Sequence, residues 1–229
     1  KDNLRAAIKI IRKEFLFDQE SVDRFFTEIK NLELLNHPNI ERYITSSSDS
    51  RGVPYFAVEY IDGPDLETQV RNQDTFKSHD WLKLASDLAK AINYCHSQRV
   101  IHKDVSPGNI VMGDTGPILI DFGLSYLEQD PRLTSREMIV GTPPFMAPEH
   151  IRHSENLSRE MDIFSLAGTL IFSATGHYPF NGRTKQEWMD SILYEKPNFD
   201  GLSSYQIKLL EPLLYKNPQD RLPLDLFIS

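Results

Sequence analysis

The sequence predicts an α+β molecule of two lobes, a small β-rich N-lobe and a larger, mostly helical C-lobe. Three observations lead there. Residues 1–62 hold short apolar, β-branched runs around one helical pattern, Asp62-Gly63-Pro64 then breaks the chain, and residues 63–229 are dominated by apolar repeats at helical spacing. A cleft between two such lobes is a favoured place for a ligand.

Each element has its own signal. "LRAAIKII" is apolar, β-branched and short, which suits a strand. "SVDRFFTEIKNLELL" opens on Ser21 as a cap and repeats apolar residues at Val22, Phe25, Phe26, Ile29, Leu32 and Leu35, a helix with a buried stripe. His37-Pro38-Asn39 stops it. "IERYITSSS" and "VPYFAVEYI" read as a strand pair joined by a polar loop over residues 49–52. Beyond the break, "HDWLKLASDLAKAINYCHSQ" is a long amphipathic helix, and "IVM" and "PILI" are short strands around Gly113-Asp114-Thr115-Gly116. Helical patterns return near 160–175, 184–194 and 204–215, with no internal repeat or low-complexity tract.

Composition narrows the function. A net charge of −8 over 229 residues argues against general nucleic-acid binding, which needs a basic footprint. The cluster Lys1, Arg5, Lys9, Arg12 and Lys13 reads as a solvated face. The single cysteine, Cys95, falls in step with Leu84, Leu88, Ala91 and Ile92, so it reads as a packed core thiol in a reducing compartment. A cytoplasmic location is expected, either alone or as the cytoplasmic domain of a longer chain, because no apolar run here is long enough to cross a bilayer. The histidines and the cysteine lack the paired spacing of a zinc site, which leaves open a metal held by oxygen ligands.

The chemistry concentrates in "HKDVSPGNI", residues 102–110, and in "LIDFGLS" just beyond. Pro107-Gly108-Asn109 alone is ordinary turn chemistry. Asp104, Asn109 and Asp121, however, would lie at neighbouring strand and loop ends, and Gly123 would let the chain turn sharply away. Oxygen-bearing side chains gathered in this way suit Mg2+, which prefers hard oxygen ligands and keeps waters and substrate phosphates.

With these motifs in order, the chain resembles a eukaryotic-type protein kinase catalytic domain of the serine/threonine kind. "AIK" resembles the third-strand motif and "HKDVSPGN" the catalytic loop. "DFG" resembles the metal-binding turn, "APE" at 147–149 the close of the activation segment, and "DIFSLAGTL" from Asp162 the central buried helix. The resemblance implies a protein-kinase-like fold that binds ATP and Mg2+ and acts on a protein substrate with a serine or threonine acceptor. Lys9 would grip the α- and β-phosphates with Glu28 as its ion-pair partner, Asp121 would bind Mg2+ with Asn109 on a second ion, and Asp104 would accept the acceptor's proton. Val58 would back the nucleotide pocket, Glu59, Tyr60 and Ile61 would offer backbone groups to adenine, Asp65 would meet the ribose, and Ala7 and Val111 would sandwich the base. Thr134 and Ser135 would be phosphosites, Thr142 would contact Asp104, and Glu149 with Arg221 would form a structural pair.

Three departures stand beside the resemblance. No glycine precedes Gly52, so the phosphate-covering glycine-rich loop is expected upstream of Lys1. Lys103 replaces the usual arginine beside the catalytic aspartate and cannot reproduce its planar fork. Ser106 stands where serine/threonine kinases carry a lysine near the γ-phosphate. A pseudokinase acting as a nucleotide- or protein-binding regulatory module, and a kinase for small molecules, remain alternatives to a protein kinase.

Overall fold

In the computed structural model the residues described are 5–72, 75–122, 143–152 and 158–228. A three-stranded antiparallel sheet forms the first part, with β1 (Ala6–Ile10) and β2 (Tyr43–Ser48) flanking β3 (Pro54–Glu59). Alternation explains its two faces. Phe56 and Val58 on β3 are buried, while Ile8 and Ile10 on β1 are exposed. The register sets Lys9 opposite Phe56 and Ala7 opposite Val58.

Helix α1 (Gln19–Leu34) lies between β1 and β2 in sequence and packs on the sheet through Phe25, whose ring stands 5.3 Å from that of Phe56. Its start differs from the expectation. The cap is Asp18, whose carboxylate accepts the Ser21 backbone N–H at 3.2 Å and also the Ser21 hydroxyl, so Ser21 lies inside the first turn. An ionised carboxylate satisfies an orphan N–H and favours the positive end of the helix dipole, and both effects move the start upstream.

The larger part is built around α3 (Ser78–Ser97) and α5 (Arg159–Thr175). Trp81 is fully buried between them and its indole N–H donates to the Leu170 carbonyl at 2.9 Å. Helix α5 is apolar nearly all round and is buried from Met161 to Ser173. Around it stand α2 (Leu66–Arg71), α4 (Pro148–Ile151), α6 (Lys185–Tyr194), α7 (Ser204–Leu210) and α8 (Leu224–Ile228). The helix expected over 204–215 stops at Leu210. Pro212 has no N–H to continue the ladder, and residues 211–213 turn instead as a 3-10 helix.

A hairpin of β4 (Ile110–Gly113) and β5 (Gly116–Leu119) joins the two parts. Ile40 bridges Leu119 in parallel, and Asp65 bridges Val111. The Asp62-Gly63-Pro64 link is clamped there too, since the Met112 N–H donates to the Pro64 carbonyl at 2.9 Å. Gly63, at φ 155°, must be glycine, because a Cβ there would come within 2.1 Å of the Met112 carbonyl oxygen. Among the described residues, no helix is long and apolar enough to cross a membrane.

Candidate active site

The loop between α3 and β4 brings the first functional side chains together. Asp162, at the buried start of α5, accepts the backbone N–H groups of His102 and Lys103 at 2.9 and 2.8 Å, and the His96 ring at 2.8 Å. That single carboxylate fixes the loop from beneath. The His102 Nε2 lies 2.9 Å from the Ile120 carbonyl and its Nδ1 accepts the Asp104 N–H at 3.3 Å, which assigns the Nε2–H tautomer. Its ring also packs 4.5 Å from that of Phe122. The 102–104 segment is thereby tied to the segment carrying Asp121.

Asp104 and Asn109 meet directly. The Asn109 Nδ2 donates to the Asp104 carboxylate at 2.7 Å and to its carbonyl at 2.8 Å. This closes the 3-10 turn of residues 107–109 and aims one carboxylate. Lys103 and Asp121 both hold positive φ, 73° and 61°. Non-glycine residues in that region store about 1–3 kcal/mol each, strain that gathers at functional sites. Ser106 is buried at 2 % exposure, with its carbonyl taken by the Asn109 N–H at 3.0 Å.

Lys9 is not part of a solvated basic face. Its Nζ donates to both oxygens of Glu41 at 3.0 Å and contacts the Asp121 carboxylate. Burial works against the ammonium, but Glu41, Asp121 and Glu28 together outweigh it and hold the Lys9 pKa above its usual value. The expected Lys9–Glu28 ion pair is corrected by this geometry. Glu28 is 2 % exposed and neither of its carboxyl oxygens has a hydrogen-bond partner. Burial pushes its pKa up to about 9, so its carboxyl is neutral at pH 7. Glu41 carries no sequence signal of this contact, because it follows the His37-Pro38-Asn39 turn in a mostly polar stretch that matches none of the motifs above.

The remaining expected residues divide. Ala7 and Val58 are sheet partners, Val58 is buried, and Val111 sits on β4 beside Asp65. The Glu59 side chain pairs with Arg42 at 2.8 Å, the Tyr60 N–H donates to the Arg5 carbonyl at 3.0 Å, and Ile61 is partly buried. Asp65 caps α2, accepting the Thr68 N–H at 2.6 Å and the Thr68 hydroxyl at 3.0 Å, so its carboxylate is engaged within the chain. Arg221 grips Glu149 with a planar fork at 2.6 and 2.7 Å, and both residues are buried. Gly123, Thr134, Ser135 and Thr142 lie outside the described residues.

A two-part α+β fold with a lysine, a strapped aspartate–asparagine loop and a strained turn aspartate along one seam defines a domain of the protein-kinase kind. The sequence comparisons agree: the model of the protein kinase domain matches residues 1–227, and the chain belongs to that family. It is 33 % identical over 207 residues, 90 % of this chain, to the serine/threonine-protein kinase AfsK of Streptomyces griseus, of which it covers 26 %. It is 30 % identical over 94 % of its length to the probable serine/threonine-protein kinase MARK-C of Dictyostelium discoideum, covering 28 % of that protein. The serine/threonine-protein kinase PknB of Mycobacterium tuberculosis is 28 % identical over 94 % of the chain, with 36 % of that protein covered. The chain thus spans about a quarter to a third of the length of these relatives.

Proposed function

We propose that this domain transfers the γ-phosphate of ATP to serine or threonine hydroxyls of a protein. The observation that carries the reading is the gathering of Lys9, Asp104, Asn109 and Asp121 along the seam where β1, the 102–109 loop and the end of β5 meet. Phosphoryl transfer asks a protein chiefly to position groups and balance charge, and these side chains suit that work. Residues 1–62 and 63–229 serve as its two lobes, with the linker at 59–62 offering backbone groups to the base.

The donor set fits a hard cation. Asp121 offers a carboxylate, and Asn109, its amide nitrogen spent on Asp104, offers an amide oxygen. Mg2+ held there would neutralise phosphate charge. Lys9 exchanges its Asp121 contact for phosphate oxygens when nucleotide enters. Asp104, aimed by Asn109, accepts the hydrogen bond and then the proton of the incoming hydroxyl.

A second reading, a pseudokinase that binds nucleotide or protein without transfer, has two observations behind it. The Lys9–Asp121 contact occupies both groups, and a buried serine stands at 106 in place of a cation. Labelled-phosphate incorporation by the full-length protein, with Mg2+ and a generic protein acceptor, separates the two readings. Asp104→Asn should lower incorporation by about 10²–10⁴-fold, the usual contribution of a positioned base. A wild type that binds ATP yet incorporates no label supports the module instead.

A further inference from the structure

We propose that Glu41 is a positioning residue of the nucleotide site, the carboxylate that holds Lys9 and the Asp121 turn in one arrangement. This rests on the phosphotransfer reading and adds to it a residue outside the family motifs quoted above. Glu41 is 2 % exposed, and every polar atom of its side chain is engaged. Oε1 accepts the Asp121 backbone N–H at 2.6 Å and the Lys9 ammonium at 3.0 Å, and Oε2 accepts the same ammonium at 3.0 Å. Its own backbone is locked to the hairpin, where the Glu41 N–H donates to the Leu119 carbonyl at 2.9 Å.

The placement matters as much as the contacts. Leu119 is on the same strand end as Asp121, so Glu41 stands on the frame of the turn it holds and reaches across to β1. A counterion on α1 would follow any shift of that helix. Glu28 is on α1 and neither of its carboxyl oxygens has a hydrogen-bond partner, so the ammonium is held by Glu41 and not by that helix's carboxylate. Glu41 is built to fix Lys9 and Asp121 relative to each other, the two groups that would hold the phosphates and the metal.

The test uses the full-length protein and a fluorescent ATP analogue with Mg2+, beside KM and kcat for ATP and for the acceptor. Glu41→Gln keeps size and one acceptor oxygen but turns an amide NH2 toward the Lys9 ammonium. It should weaken analogue binding and raise KM for ATP by about tenfold, the scale of one charge-assisted hydrogen bond, with KM for the acceptor unmoved. Glu28→Gln should weaken binding less than Glu41→Gln. A double-substitution cycle with Lys9→Met and Glu41→Met guards against a variant that merely loosens the fold. If Glu41 acts through Lys9, the second substitution adds little to the first in nucleotide affinity, whereas independent losses that sum would overturn the role. The reverse order of Glu28 and Glu41 also overturns it. A wild type that binds the analogue but transfers no phosphate overturns phosphotransfer alone, and the binding order then still decides Glu41.

Discussion

At the scale of single residues, Lys9 stands among Glu41, Asp121 and Glu28, and burial decides how protons are shared there. Glu28 has an ordinary carboxyl value of 4.5 when unfolded and about 9 when folded, because it is desolvated without a hydrogen bond. Between those values the native state binds a proton that the unfolded chain has released, so unfolding becomes easier as pH rises. The contribution is fully present below the unfolded value and is lost as pH climbs through the folded one. Unfolding free energies from denaturant titrations between pH 5 and 9 should therefore fall, by up to about 1.4 kcal/mol per pH unit from this group. Glu28→Gln, neutral throughout, should flatten that slope. An equally steep slope in the variant would show that the pH dependence lies elsewhere.

At the scale of elements, the start of α1 depends on Asp18, which accepts the Ser21 N–H and hydroxyl at the positive end of the helix dipole. Asp18→Ala should cost about 0.5–2 kcal/mol by thermal or denaturant unfolding, while Ser21→Ala, which keeps the backbone donor, should cost less. The order of these effects distinguishes the cap found here from the cap at Ser21 that the sequence suggested. The 102–109 loop behaves differently, because its geometry comes from outside itself. Asp162 on α5 supplies the acceptor for two successive N–H groups, so a loop rich in turn residues is held in one conformation.

At the scale of the molecule, Arg221 ties distant segments together. Besides the fork on Glu149, its Nη1 donates to the Glu160 carbonyl at 2.7 Å and its Nε to the Tyr215 carbonyl at 2.8 Å, and its guanidinium lies 4.9 Å from the Phe164 ring centre. Replacing it leaves a buried carboxylate without its fork and takes the side-chain donor from the Glu160, Tyr215 and Lys216 carbonyls. Arg221→Ala should destabilise the fold by about 3–5 kcal/mol in equilibrium unfolding. A loss under 1 kcal/mol would mean that water reaches Glu149 and relieves it.

The sequence by itself determined the order of elements, the break at Asp62-Gly63-Pro64 and the residues Asp104, Asn109 and Asp121 as the chemical candidates. Period, turn residues and motif order are local properties, and local properties survive in a linear string. Only the tertiary structure decided which carboxylate Lys9 meets. Glu28 lies in a helical pattern and Glu41 follows the His37-Pro38-Asn39 turn, and neither setting along the chain says which of the two reaches Lys9. Packing separates them: the Ile40–Leu119 bridge carries Glu41 to the end of β5 beside Asp121, while α1 leaves Glu28 buried without a partner. Lys9, on the strand opposite, pairs with the carboxylate within reach, because an ammonium taken from water needs acceptors to offset its lost hydration.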